Sequence, residues 1–191
     1  MPKPKAKVVV VGDTGVGKRS LVRRSSIDSY PDRYLDMLGA KVSKKEIVLP
    51  VRLRDGSVLD LILWTVGAGA LKGRGRTFAA RAVGIFAVCD ATQRDSLAHL
   101  ADFIRIVFAI SGEILVVVVV NNWDMETDRA IAIEEVAAFS RAYGSEFFLI
   151  SATGEKVEAA FQSLASGSWC SDARRPNGTV RDRHKPGLPH P

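Results

Sequence analysis

A glycine-rich loop carries the clearest chemistry in this chain of 191 residues. Its G-x-x-x-x-G-K spacing lets successive backbone N–H groups converge on a phosphate group. The lysine that ends the loop supplies a point charge to the terminal phosphates, and the dipole of the helix that follows adds to it. We therefore predict a phosphate-binding loop that consists of Gly12, Asp13, Thr14, Gly15, Val16, Gly17 and Lys18.

The residue after the lysine departs from this pattern. A Ser or Thr normally follows, and its hydroxyl binds Mg²⁺, whereas this chain has Arg19. Ser20 comes next, but it lies about 100° further round the helix and is expected to face elsewhere. The Arg19 guanidinium would either reach the phosphate oxygens or turn out to solvent. The usual hydroxyl ligand is missing, and we assign no metal ligand. Arg19 and Ser20 are predicted to contribute to nucleotide binding together with the loop.

Polar residues also follow two later apolar runs. Asn121, Asn122 and Asp124 come after the run 116–120, and Ser151, Ala152 and Thr153 come after Ile150. Open α/β sheets bind ligands at the carboxyl ends of their strands. A carboxylate such as Asp124 can accept two hydrogen bonds from the N1–H and N2–H₂ edge of guanine, which adenine lacks. We predict that these six residues contribute to nucleotide binding.

The elements that must position these residues alternate along the chain. Alternating strands and helices are typical of a largely parallel sheet that is covered on both faces. Strands are predicted at Lys7–Val11, Lys41–Leu53, Ser57–Trp64, Gly84–Asp90, Ile114–Asn121 and Phe147–Ile150, with a hairpin turn at Asp55-Gly56. Helices are predicted at Ser20–Ile27, Thr77–Ala82, Ser96–Ile110, Ile131–Tyr143 (ending at Gly144) and Lys156–Leu164. The segment Val66–Gly75 holds four glycines and is expected to be mobile.

From about Lys5 to Ser166 the chain resembles the Ras-like small GTPase superfamily, particularly its Rab-like and archaeal Ras-like members. The loop Gly12–Lys18 matches the phosphate loop, Asn121 and Asp124 match N-K-x-D, and Ser151-Ala152 matches the start of S-A-K. Leu63-Trp64 precedes the position of D-x-x-G, and 154–161 looks like the family's last helix. The resemblance implies a P-loop NTPase fold, with a mixed, mostly parallel six-stranded sheet and helices on both faces. It also implies that GTP or GDP is the ligand.

Other family residues are replaced. The replacements fall mainly on magnesium, the γ-phosphate sensor and the catalytic water, and we assign no catalytic residue. Met37 stands for the switch Thr, Thr65 for the Asp of D-x-x-G, Ala68 for its Gly, Gly69 for the Gln that positions water, Asn122 for the Lys of N-K-x-D, and Thr153 for the Lys of S-A-K.

Three hypotheses follow from this mixture of kept and lost residues. The first is a small GTP-binding protein that holds guanine nucleotide with little or no GTP hydrolysis. The second is a nucleotide-free pseudo-GTPase that acts as an interaction scaffold. The third is an active GTPase switch in which Asp36 or Thr65 substitutes as a magnesium ligand.

Composition sets broader limits. The net charge is +6, but the basic residues are dispersed and no nucleic-acid motif with interleaved aromatic residues is present. No segment predicts a membrane span, and neither terminus carries a lipid-anchor motif. We expect a monomer in the cytoplasm, with effector or regulatory proteins as partners. The predicted division is a GTPase-like domain at 1–167 and a disordered basic tail, rich in Pro, Gly and Arg, at 168–191.

Overall fold

A computed structural model of the chain describes residues 5–25, 39–48, 58–151 and 156–172. Several predictions made from the sequence lie outside these residues. They concern Met37, Asp36, the hairpin turn at Asp55-Gly56, Ala152, Thr153 and the tail after Asp172.

The described strands form one six-stranded sheet. In spatial order the strands are β2, β3, β1, β4, β5 and β6; β2 and β3 pair antiparallel, and the other neighbours pair parallel. Their bounds are β1 Lys5–Val11, β2 Ala40–Val48, β3 Val58–Val66, β4 Gly84–Asp90, β5 Leu115–Asn121 and β6 Glu146–Leu149. The predicted fold, a mixed and mostly parallel six-stranded sheet, is confirmed.

Five α-helices within the described residues cover the two faces of this sheet. They are α1 Lys18–Ser25, α2 Ala68–Ala79, α3 Arg94–Ser111, α4 Ile133–Ala142 and α5 Val157–Asp172, and a short 3₁₀ turn spans Glu126–Asp128. Along each central strand, successive side chains point to opposite faces of the sheet, so one strand contributes to the hydrophobic core on each face. Val116, Val118 and Val120 pack with α2, α3 and α4, whereas Val117 and Val119 pack with α1 and α5.

The helix predicted at Thr77–Ala82 begins and ends earlier than the sequence pattern indicates, and most of Val66–Gly75, which was predicted to be mobile, is helical. Helical structure runs from Ala68 to Ala79 (α2) and is kinked at Arg74, whose backbone is not helical. Leu71 and Phe78 are fully buried on one side of this helix, and Gly75 lets the helix approach Ile106 of α3 closely. Tertiary burial therefore overrides the low helix propensity that the glycines confer.

The last helix extends further than the sequence pattern indicates. It was predicted to end at Leu164, but α5 continues to Asp172, so residues 168–172 are helical where the sequence predicted the start of the tail. Over the described residues, no helix is both long enough and apolar enough to cross a membrane.

Candidate nucleotide site

The phosphate loop leaves the carboxyl end of β1 and enters α1 at Lys18. Gly12 has φ +143°, and a Cβ at this position would lie 2.1 Å from the carbonyl oxygen of Val88 on the neighbouring strand β4. Only glycine fits a backbone that is both left-handed and this close to another strand. The first glycine of the motif is therefore required by packing as well as by conformation.

A second contact ties the loop to β5. The Asn121 side-chain amide at the end of this strand donates a hydrogen bond of 3.1 Å to the carbonyl oxygen of Val16. Gly17, with φ +90°, lies beside the same amide, and a Cβ there would be 2.2 Å from its nitrogen. Asn121, which the sequence assigned to the base-binding motif, thus also holds the phosphate loop in shape.

Lys18 is folded back over the loop. Its ammonium donates to the carbonyl oxygens of Gly12, at 2.8 Å, and Asp13. The residue is only 8% exposed. Burial lowers the pKa of Lys18 to about 8; the negative charge of Asp13 acts in the opposite direction, and the positive charge of Arg19 lowers it further. The ammonium is therefore held inside the loop by neutral carbonyls, which an anionic ligand would outcompete.

The Asp13 side chain turns towards α3. Its carboxylate Oδ2 lies 2.6 Å from Nδ1 of His99, which is half exposed on that helix. The hydrogen bond with Asp13 is the main reason why the pKa of His99 is raised above its ordinary value, and the negative charge of Asp13 adds to it. The only carboxylate in the loop is thus paired with an imidazole outside the loop.

Three other predicted residues of this region are open to solvent. Thr14, Arg19 and Ser20 are exposed, and Arg19 occupies the first turn of α1 directly after Lys18. No hydroxyl follows Lys18, and the nearest one in sequence, on Ser20, lies on another side of the helix.

A buried carboxylate organises the loop that follows β5. Asp90, 3% exposed at the end of β4, accepts hydrogen bonds from the Thr92 backbone and hydroxyl, the Gln93 amide and the Asn122 amide, at 2.8 to 3.1 Å. Asn122 has φ +57°, a left-handed conformation that Asn tolerates. Its amide contacts Asp90, so the side chain that replaces the family's Lys helps to hold the loop.

Asp124 and Ser151 are brought together, as the sequence predicted. They line one cavity of about 280 Å³ with Trp123, Leu149 and Lys156. The backbone N–H of Trp123 bonds to the carbonyl of Ile150, at 3.0 Å, which joins the two loops. The Arg129 guanidinium stacks over the Trp123 ring at 4.0 Å and donates to its carbonyl, which holds the indole in place.

The segment after β3 lies at the same edge of the sheet. Thr65 is buried and pairs with Val10 of β1, two residues before the loop begins. The Gly67 backbone N–H donates to the Gly39 carbonyl at 2.8 Å, directly before α2 begins. Gly69 is in the first turn of α2, and a Cβ there would meet nothing outside its own helix within 4 Å. The positions predicted to match the family's Asp and Gln thus offer a hydroxyl and no side chain.

Sequence reasoning missed four residues that contribute to this site. Trp123 and Lys156 were inside the matched motifs but were not assigned a role. Asp90 could have been found as a polar residue at the carboxyl end of an apolar strand. No local signal indicated His99, because its partner Asp13 is 86 residues away.

The geometry defines a class of protein: a phosphate-loop α/β domain with a second polar cluster at the ends of β5 and β6. A model of the Ras family matches residues 7–168. Ras-related protein Rab-13 of Canis lupus familiaris is 27% identical over 175 residues, which cover 90% of this chain and 84% of that protein. The chain belongs to the Ras family, whose members are small GTP-binding proteins.

Proposed function

We propose that this chain binds GDP or GTP and turns GTP over slowly or not at all. One observation carries the first half of the proposal: Asn121, on the base-facing strand, donates to Val16 of the phosphate loop. This bond couples the two halves of the site, so that a nucleotide spanning them would meet a preformed framework. Preorganisation of this kind lowers the cost of binding.

In the proposed complex the phosphates lie against the N–H groups of the loop and draw the Lys18 ammonium away from the Gly12 and Asp13 carbonyls. Asp124 accepts from the guanine edge, and Ser151 and Ala152 approach the base O6 through backbone N–H groups. The cavity shared by Asp124, Ser151 and Trp123 supports this assignment. Thr153 remains a proposed contact of the base.

The second half of the proposal concerns hydrolysis. Gly69 offers no side chain to orient an attacking water, and Thr65 offers no carboxylate to the metal site. Ras hydrolyses GTP at only about 10⁻⁴ per second without an activating protein, and removal of one positioned electrostatic group typically costs about 10²-fold or more. We therefore expect an intrinsic rate below about 10⁻⁶ per second.

Two measurements test the proposal. Protein purified at low temperature is denatured and the released small molecules are separated by chromatography; GDP or GTP is the expected content. Competition against labelled GDP should then rank unlabelled GDP well ahead of ADP. Equal competition by the two nucleotides would contradict the guanine assignment, and a protein that binds neither would favour the interaction-scaffold hypothesis.

The hydrolysis claim has its own test. Protein loaded with γ-³²P-labelled GTP is followed in a single turnover for a day at 25 °C. Almost all label should remain in GTP, whereas conversion to GDP within an hour would refute the claim and support the hypothesis of an active switch with substitute magnesium ligands.

A further inference from the structure

Two described carboxylates at this edge of the sheet, those of Asp13 and Asp90, are already hydrogen-bonded to other residues of the protein. The Asp13 carboxylate contacts His99 at 2.6 Å, and Asp90 accepts hydrogen bonds from three different side chains and one backbone N–H. Magnesium is bound in nucleotide sites through one or two carboxylates or hydroxyls together with phosphate oxygens. Recruiting Asp13 or Asp90 would break an existing hydrogen-bonded pair.

Two further positions that could supply an oxygen ligand, among the residues that the structure describes, do not complete such a site. Thr65 is buried at the end of β3 and has a hydroxyl where the family has a carboxylate. The position after Lys18, where a hydroxyl would meet the cation, holds Arg19. Among the residues that the structure describes, the donors around the loop therefore do not fit magnesium, even though the Ras family implies it.

Arg19 adds a permanent positive charge at this point. The residue follows Lys18 directly, and its side chain is exposed, so it can swing over the loop without loss of packing. Its charge already acts on the Lys18 ammonium, because Arg19 is one of the causes that lower the pKa of Lys18. Arg19 therefore starts in the first turn of α1, directly after the residue that reaches into the loop.

We propose that Arg19 replaces magnesium as the counter-charge of the terminal phosphates, so that this loop binds guanine nucleotide without a divalent cation. The inference rests on the proposed nucleotide binding. The planar guanidinium forms bidentate, charge-assisted hydrogen bonds with phosphate oxygens, which a hydroxyl cannot do alone. The same charge repels a divalent cation from the site.

The test is a titration of the full-length protein with fluorescently labelled GDP, in about 5 mM MgCl₂ or in about 5 mM EDTA. The ionic strength of the two buffers is matched, so that charges are screened equally in both. We expect the two dissociation constants to agree within about threefold for the native chain. In EDTA, Arg19→Ser should bind about 10- to 100-fold more weakly, the scale of lost hydrogen bonds to a charged group. Arg19→Lys keeps the positive charge but loses the planar, bidentate donor group, so its affinity in EDTA should lie between those of the native chain and Arg19→Ser.

Arg23→Ser is the matched control. Arg23 is an exposed cation on the same helix, about one turn further from the loop, so its removal changes the net charge equally. It should alter the affinity for GDP much less than Arg19→Ser does, because it removes the same charge without removing the proposed hydrogen bonds to the phosphates. Thermal unfolding of each variant establishes that the compared proteins are folded.

The outcomes separate the two proposals. Binding that requires magnesium, or an Arg19→Ser variant that binds as tightly as the native chain in EDTA, would overturn the role of Arg19 while leaving nucleotide binding intact. If the native chain binds no guanine nucleotide in either buffer, the proposed function fails and this inference fails with it.

Discussion

Asp13 of the phosphate loop and His99 of α3 are 86 residues apart in sequence, yet only 2.6 Å separates the carboxylate from Nδ1, and the contact is an ion pair whenever His99 is protonated. The contact fastens the phosphate loop to the longest described helix. It also gives the only acidic side chain of the loop a partner outside the loop.

This pair makes the stability of the fold depend on pH. The hydrogen bond with Asp13 is the largest cause that raises the pKa of His99 above 6.5; Asp95 also raises it, and Lys72 lowers it. The protonated form is thus favoured in the folded state. Its stabilising contribution is fully present below pH 6.5 and is lost as the pH rises through the folded-state pKa.

We therefore expect His99→Gln to lower the midpoint of thermal unfolding at pH 5.5 and to have little effect at pH 8.5. Asp13→Asn should show the same pH dependence, and the double variant should lose little more than either single variant. A His99→Gln effect of equal size at both pH values would contradict a contribution from the charged pair.

The buried ammonium in the loop predicts a second pH effect, this time on binding. Burial lowers the pKa of Lys18 to about 8, and phosphate favours the protonated form. The affinity for GDP should therefore be nearly constant from pH 6.8 to 7.3 and should fall as the pH passes 8. The limiting slope is about tenfold per pH unit, one proton being linked to binding.

Lys18→Gln provides the comparison, since it reports any titration of the nucleotide itself. This variant should bind roughly 10- to 150-fold more weakly at pH 7, which corresponds to about 1.5–3 kcal/mol for hydrogen bonds to a charged group. It should also lose the decline above pH 8. A decline that persists unchanged in the variant would remove Lys18 as its cause.

Base selectivity should depend on Asp124. Replacing it by alanine removes the acceptor for the guanine edge, and we expect the preference for GDP over ADP to shrink by about 1.5–3 kcal/mol. Asp128→Ala, which removes an exposed carboxylate four residues further on, is the control. If both variants change the GDP and ADP affinities in parallel, the carboxylate does not recognise the base.

Two glycines of α2 should respond oppositely to substitution. At Gly75 a Cβ would lie 3.0 Å from Ile106 Cγ2 and 3.2 Å from Ile110 Cδ1, whereas at Gly73 it would meet no atom within 4 Å. Gly75→Leu should lower the free energy of unfolding by about 1–3 kcal/mol through overpacking. Gly73→Ala should raise it by about 0.5–1 kcal/mol because alanine favours the helix.

Chemical denaturation of the two variants measures both changes. If α2 were mobile, as the four glycines of the sequence suggested, neither substitution would change the unfolding midpoint by more than a few tenths of a kcal/mol, as is usual at surface sites.

Local patterns were enough to predict most of the fold. The run of five valines at 116–120 is apolar at every position, and this is what a parallel strand covered on both faces requires. The loop Gly12–Lys18 could be located in the same way, because its glycine spacing encodes a backbone shape that needs no distant partner. Asp124 and Ser151 could be placed together because parallel strands end at one edge of the sheet.

Local patterns could not predict which side chains become partners, because those partners lie far apart in the sequence. Asp13 meets His99 and Asn122 meets Asp90 only after strands and helices 86 and 32 residues apart have packed. The helix α2 likewise exists because Leu71, Gly75 and Phe78 find a complementary surface, which no propensity scale contains. The sequence by itself determined the sheet and the phosphate loop through local periodicity and backbone conformation. Tertiary packing decided which charges and amides hold that loop, because those energies arise only between groups brought together by the finished fold.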